Sequence, residues 1–176
     1  RLALTCKSII LTRITRNVAN AYLGRIAAQR VLAGQIRHGD GDTIDAVVWY
    51  SDLRNSTALA ETMPREHYLS LLNTYFHCAA GAVLAAGGEV LDFIGDAVLA
   101  IFPFDDPASR LEAVRSACRA IGEAEARRRE ALALDAGHAL EFGLGVDAGT
   151  VLFGNIGVPE RLAFSVIGPT VNQVAR

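Results

Sequence analysis

Asp52 and Asp96 are the residues of this sequence whose type and placement could do chemistry. Asp52 closes the run Ala-Val-Val-Trp-Tyr-Ser-Asp that begins at Ala46, which is rich in β-branched and aromatic residues and reads as a strand. Asp96 follows Gly95 at the tip of a tight hairpin between two further apolar runs, 90–94 and 97–102. In an antiparallel sheet a strand end and a hairpin tip can be neighbours, and two adjacent carboxylates need a cation. Hard oxygen ligands without His or Cys support favour Mg²⁺ or Mn²⁺, which bind through one or two carboxylates, water and substrate phosphates. The chemistry served by such a pair is phosphoryl or nucleotidyl transfer. Taken singly, each aspartate has a plainer role: Asp52 as the cap of the next helix, Asp96 as an Asx turn beside glycine.

The elements that must position these side chains can be read along the chain. Ile10, Ile14, Val18, Tyr22 and Ile26 recur at steps of four, with Arg13, Arg16, Arg25, Arg30 and Arg37 between them. That spacing predicts an amphipathic helix, ended by the Gly-Asp-Gly-Asp of 39–42. It packs on its own domain, or it is a linker helix that pairs with its twin and couples an upstream sensor to the main domain. After the first strand, Asn55, Ser56 and Thr57 cap a short helix, and Pro64 opens a longer one ended by Gly87 and Gly88. The hairpin comes next, then an Ala- and Arg-rich helix from Pro107 to about Leu134. Three short strands near 140–148, 151–155 and 161–167 lead to a last helix at Pro169. The order is β-α-α-β-β-α-β-β-β-α. This is an α+β, ferredoxin-like antiparallel sheet with helices on one face, preceded by the N-terminal helix. Residues 1–41 form the linker and 42–176 the main domain.

Composition narrows the function. With 176 residues, 51% hydrophobic and 20% charged, the chain is one ordinary soluble domain with enough length for a core. Its net charge of −2 argues against nucleic acid as a partner, which asks for a basic face. Of 17 Lys and Arg, only Lys7 is a lysine, so no mechanism can call on a lysine within the main domain. Cys6, Cys78 and Cys118 are odd in number and scattered, which gives neither a disulfide framework nor a zinc spacing and fits a reducing, cytoplasmic setting. No apolar run approaches a membrane span. His67 and His77 are not at ligand spacing, and Arg127 to Arg129 with Glu123, Glu125 and Glu130 read as a solvated helix face. Asp147 is assigned structural work. The sequence opens on Arg1 and stops at Arg176, and is read as a segment of a longer polypeptide.

Three stretches carry a resemblance: 47–61 (VVWYSDLRNSTALAE), 87–102 (GGEVLDFIGDAVLAIF) and 142–176 (FGLGVDAGTVLFGNIGVPERLAFSVIGPTVNQVAR). In this order they resemble the catalytic domain of class III nucleotidyl cyclases of bacterial type, from about Ile44 to the end. The resemblance implies a palm-type fold and a homodimer with shared active sites at its interface. It also implies a purine nucleoside triphosphate, ATP or GTP, as substrate, and a 3′,5′-cyclic nucleotide for intracellular signalling as product. It makes Asp52 and Asp96, with the carbonyl of Leu53, the ligands of two Mg²⁺ or Mn²⁺ ions per site. The loop Arg54, Asn55, Ser56 and Thr57 becomes a phosphate cradle, although the family usually has Gly-Phe-Thr where this chain has Asn55-Ser56-Thr57. The Asn-x-x-x-Arg pattern falls on Asn172, which would orient the ribose, and Arg176, which would meet charge on the α-phosphoryl oxygens, both offered by the partner chain.

The base-reading positions depart from the adenylate-cyclase pattern. Where the family places a lysine for adenine, this chain has Asp92; the second reader falls on Ser165. A carboxylate at Asp92 repels the unprotonated N1 of adenine and accepts from N1–H and the amino group of guanine, as the acidic residue of guanylate cyclases does. ATP to cyclic AMP is placed first on the habit of bacterial members, GTP to cyclic GMP second. A catalytically inactive cyclase-like regulatory or dimerisation module is the third reading. The Gly-Gly-Asp/Glu-Glu-Phe signature of diguanylate cyclases is absent. Family members continue beyond the equivalent of Arg176 with more sheet and a phosphate-gripping lysine.

Overall fold

The computed structural model describes residues 2–37, 39–134, 140–158 and 160–176. The first strand, β1 (Gly41–Leu53), is the spine of a five-stranded antiparallel sheet ordered β2-β3-β1-β4-β5. The others are β2 (Glu89–Ile94), β3 (Ala97–Phe104), β4 (Phe142–Val158) and β5 (Arg161–Ile167). The first four strands have the neighbour order of a ferredoxin-like sheet, and β5 extends it beside β4. Three details differ from the sequence expectation. The predicted strands at 140–148 and 151–155 are one continuous strand, β4, because Gly149 and Thr150 between them stay extended and pair without interruption with β1. The predicted N-terminal helix is two helices, α1 (Leu2–Leu23) and α2 (Arg25–Leu32), broken where Gly24 takes φ 79°, a left-handed value that L side chains avoid. Helix α2 ends at Leu32, ahead of the Gly-Asp-Gly-Asp of 39–42, and β1 begins inside that run at Gly41 rather than at Ala46, because 41–45 pair with 150–154.

Alternation along β1 divides the core. Val47 and Trp49 point to the face covered by α4 (Arg65–Ala85) and α5 (Pro107–Leu134), where they pack with Ala82, Val83, Ala117 and Ala120. Alanines at these helix positions let α4 and α5 lie close to the strands. Ala46 and Val48 point the other way. There the sheet curls around Leu99, Ile101, Val151 and Phe153, and the two outer strands touch through Leu91 on β2 and Phe164 and Val166 on β5. This concave side is closed by α2, through Ala27, and by the short α6 (Pro169–Val174) through Val171 and Val174. The long helices thus share one face, as expected, and two short ones line the other.

Local chemistry agrees with these assignments. Ser109 and Asp106 exchange hydrogen bonds across the first turn of α5, including Ser109 N–H to Asp106 Oδ1 at 2.8 Å. Arg128 ties α5 to the start of β4 by donating to the Leu140 carbonyl at 3.2 Å. The solvated face behaves as expected: Arg127 pairs with Glu123, and Arg128 and Arg129 with Glu125. Cys78 is buried and Cys118 exposed, and both are free thiols; the side chain of Cys6 lies outside the described ones. Among the described residues, no helix is long and apolar enough to cross a membrane.

The double pairing of Glu125 generates a pH prediction. Hydrogen bonds from Arg128 and Arg129 draw its carboxyl down to about 2. A depressed carboxylate stabilises the fold above its ordinary range and loses that contribution as pH falls towards the depressed value. The pair is exposed, so screening keeps the contribution below about 1 kcal/mol. Denaturant unfolding should show Glu125→Gln less stable than the parent at pH 7 by that small amount, with the gap closing between about pH 4.5 and 2.

Candidate active site

The end of β1 is held on both sides. Asp52 pairs with Ala97 of β3 and with Gly143 of β4, and the Leu53 N–H donates to the Asp96 carbonyl at 3.2 Å. The strand end and the hairpin tip are therefore adjacent. Gly95, with φ 64°, makes the turn that puts Asp96 there. The field of the two carboxylates is felt together at Tyr50: burial pushes its hydroxyl pKa up, and Asp52 and Asp96 push it further in the same direction. Among the described residues, neither carboxylate accepts a hydrogen bond or pairs with a cation. Two carboxylates on neighbouring backbone positions, neither of them ion-paired among the described residues, suit a divalent ion. No group of three or more His, Cys, Asp or Glu gathers among the described residues, so a cation here would find two carboxylates and backbone oxygen as protein donors. That set fits Mg²⁺ or Mn²⁺ and does not fit a zinc centre.

Beneath Asp52 lies a buried polar network that sequence reasoning missed. Ser51, 1% exposed, points into the α4 side, where its hydroxyl accepts from Trp49 Nε1–H at 3.2 Å and shares a hydrogen bond with the Tyr75 hydroxyl at 2.9 Å. Burial pushes the Tyr75 pKa strongly upward, so it stays a neutral hydroxyl. The network fixes the backbone on which Asp52 and Leu53 stand. A serine among apolar strand residues was the available signal.

Arg54 leaves β1 with its N–H bonded to the Glu141 carbonyl at 2.8 Å. Its guanidinium and the Asp52 carboxylate share the space above Gly143: a Cβ there would stand 2.7 Å from Asp52 Oδ1 and 2.8 Å from Arg54 Nη2. Asn55 comes next in the left-handed region, φ 56°, and turns the chain into α3 (Ser56–Thr62), which starts without a side-chain cap. Arg54 to Thr57 thus form one exposed corner beside the carboxylates.

Asn172 and Arg176 sit on and just after α6. Two glycines of β4 let this helix lie directly on the sheet: a Cβ at Gly145 would be 2.5 Å from the Val174 carbonyl oxygen, and one at Gly149 would strike the Thr170 hydroxyl. Both glycines are on the face of β4 that Asp52 shares, since Tyr50 pairs with Gly145 and Asp52 with Gly143. Asn172 and Arg176 are exposed, and neither side chain has a hydrogen-bond or ion-pair partner among the described residues. Asp147, also on this face, accepts the N–H of Ala148 at 2.8 Å.

The two base-reading positions are placed differently. Asp92 pairs with Leu99, on the concave side, is exposed, and comes after a register shift between Val90 and Asp92. Ser165 pairs with Gly154 and alternates with the buried Phe164 and Val166, so it points off the concave side. The curl brings their strands into contact, but within one chain the two side chains are not on one face. His67 and His77 line a separate cavity of about 590 Å³ between α4 and α5, which also takes in Cys78 and Arg127. It lies on the far side of the sheet from Asp52.

The Ser51 network should be measurable. Tyr75→Phe removes one member and leaves the buried Ser51 hydroxyl short of a partner, a loss of about 1–2 kcal/mol. Thermal unfolding should show a lower Tm, and Ser51→Ala combined with Tyr75→Phe should cost less than the two single losses added.

Comparison with known proteins agrees with this geometry. The family described as "Adenylate and Guanylate cyclase catalytic domain" matches residues 41–176. An adenylate cyclase of Anabaena cylindrica is 28% identical over 166 residues, covering 94% of this chain and 33% of that protein. An uncharacterized protein of Mycobacterium tuberculosis is 33% identical over 168 residues, covering 92% of this chain and 29% of its own length. This chain therefore spans about a third of these relatives. Among solved structures, a bacterial light-regulated adenylyl cyclase superposes with a TM-score of 0.73 at 26% identity, over 99% of this chain and 51% of that one. The guanylyl cyclase Cya2 gives 0.63 at 30% identity, over 77% and 69%. With a family match over most of its length and a sheet that sets two aspartates side by side, the chain belongs to the class III adenylate and guanylate cyclase catalytic-domain family.

Proposed function

We propose that this chain is a purine nucleotide cyclase that converts ATP to 3′,5′-cyclic AMP and pyrophosphate at the interface of a homodimer, in intracellular signalling. The observation that carries the reading is the adjacent, uncompensated pair Asp52 and Asp96. These carboxylates and the Leu53 carbonyl would hold two Mg²⁺ or Mn²⁺ ions, which when bound lower the pKa of the ribose 3′-hydroxyl and neutralise the triphosphate. The remaining work falls to this chain's own side chains. Arg54 and the backbone of Asn55, Ser56 and Thr57 receive phosphate oxygens. Asn172 holds the ribose so that its 3′-oxygen stands in line with the bond from the α-phosphorus to pyrophosphate. The Arg176 guanidinium meets the charge that builds on the α-phosphoryl oxygens as that bond breaks.

Two copies are needed because α6 presents Asn172 and Arg176 to solvent. The side of β4 and β5 opposite α6 also exposes Leu144, Val146, Leu152 and Ile167, an apolar strip that a second copy would cover. In that pair, the asparagine and arginine of one subunit complete the aspartate pair of the other. Residues 1–41 act as the segment that links this domain to an upstream sensor, with the apolar stripe of α1 facing its twin.

A second reading has its own observation. Asp92 stands where a lysine would read adenine, and a carboxylate there accepts from guanine, so GTP to cyclic GMP is the alternative product. The likeness to both the Anabaena adenylate cyclase and the guanylyl cyclase Cya2 supports either base.

Purified protein is assayed with Mn²⁺ or Mg²⁺ and with ATP or GTP. Metal-dependent cyclic nucleotide should form and fall by about 100-fold or more in Asp52→Ala. Gly143→Ala should lose at least about tenfold in kcat at nearly unchanged Tm, because its Cβ displaces both Asp52 and Arg54. A GTP preference would reassign the product. No product from a demonstrated dimer with any of the four combinations would make the chain a regulatory relic.

A further inference from the structure

Glu89 opens β2 as a carboxylate only 2% exposed, and the cyclase chemistry gives it no task. Its side chain reaches the N-terminus of α2. Oε1 accepts the Ile26 N–H at 2.6 Å, and Oε2 lies 3.9 Å from Arg25 Nε. Burial pushes the Glu89 carboxyl pKa up, while the Ile26 N–H and Arg25 pull it down. The helix start is what makes a charge tolerable at that depth.

Three features make this contact a joint. Gly24, the break between α1 and α2, is fitted against it: a Cβ there would stand 2.6 Å from Glu89 Oε1 and 2.9 Å from the Val90 carbonyl oxygen. The other end of α2 is fixed to different strands, since Arg30 donates to Asp42 of β1 at 2.5 Å and its guanidinium lies 5.0 Å from the Phe153 ring centre of β4. Helix α2 is thus a strut across the concave side, hinged to α1 at the end that meets Glu89. Finally, β2 is an outer strand, paired only with β3 and already irregular between Val90 and Asp92. Its position depends on whatever grips its other side.

We propose that Glu89 is a positioning residue: by receiving the first N–H groups of α2 it fixes β2 against the N-terminal helices, so that movement of α1 about Gly24 displaces the strand carrying Asp92. The kinetic consequence rests on the reading of Asp92 as a base contact; the mechanical joint does not.

The test compares the whole chain with Glu89→Gln, Glu89→Ala and Gly24→Ala by amide hydrogen exchange, Tm, and kcat and KM with Mn²⁺ and ATP or GTP. Glu89→Ala and Gly24→Ala should speed exchange both in the first turn of α2 and at 90–94, and shift the ATP-to-GTP ratio of kcat/KM by about fivefold or more. Glu89→Gln keeps an oxygen for the Ile26 N–H and should stay within about twofold of the parent. Gly24→Ala keeps the glutamate but drives a Cβ against its Oε1 and the Val90 carbonyl, so it disturbs the joint even where Glu89→Ala does not fold. Unchanged protection at 90–94, protection lost evenly across the sheet, or activity that falls at a constant base ratio would each overturn the proposal. If the parent forms no cyclic nucleotide, the functional reading fails by itself, and exchange at 90–94 decides the joint alone.

Discussion

Backbone hydrogen bonds from β1 to β3 on one side and β4 on the other are the constraint on which the site depends. Each ladder runs to the last residues of β1, so Asp52 has no freedom of height: Ala97 and Gly143 flank it, and Asp96 is pinned through the Leu53 N–H. The backbones that carry the two carboxylates are thereby held at neighbouring positions. Two carboxylates presented from fixed neighbouring positions are what a divalent cation can bridge. Strand pairing, helix packing through Trp49 and the Ser51 hydrogen bonds all serve to fix the end of β1.

Glycine does for the second half of the site what backbone pairing does for the first. A six-residue helix such as α6 has little stability of its own and must gain it by docking. Gly145 and Gly149 remove the side chains that would hold it off β4, so that its own backbone meets the strand. The cost is a stretch of sheet with few apolar side chains on that face. The compensation is that Asn172 and Arg176 are carried on a surface of fixed height, although neither side chain has a hydrogen-bond or ion-pair partner among the described residues.

Much of this was legible from residue patterns. The hairpin tip at Gly95-Asp96, the helix limits at Pro107 and Leu134 and the strand ending in Asp52 follow from turn chemistry and alternation, which are local. The continuous β4 was not legible, because glycine-rich runs read as breaks until the partner strand that holds them extended is known. The bend at Gly24 was missed for the opposite reason: the four-residue apolar rhythm runs through it from Tyr22 to Ile26, and the residue that makes a break favourable, Glu89, is 63 positions away from Ile26. The Ser51, Trp49 and Tyr75 network likewise joins residues whose proximity only the tertiary fold creates. The positions of Asp52 and Asp96 could be argued from sequence; that neither carboxylate is hydrogen-bonded or ion-paired among the described residues could not.

Base choice is where one chain is physically insufficient. Asp92 is exposed on an outer strand, where water screens it and a carboxylate distinguishes one purine from another only weakly. Discrimination by a hydrogen-bonding group becomes strong when the wrong base would leave it buried and unpaired. That condition needs a second surface over Asp92, and Ser165, on the other side of its strand, does not supply one from within the chain. On the proposed reading of Asp92 as a base contact, selectivity would be set by whatever closes over β2: the tighter the cover, the more an aspartate there would cost an adenine and the less it would cost a guanine. On the same reading a loosely closed interface would make this aspartate nearly neutral between the two, and the purine preference would follow how firmly β2 is held.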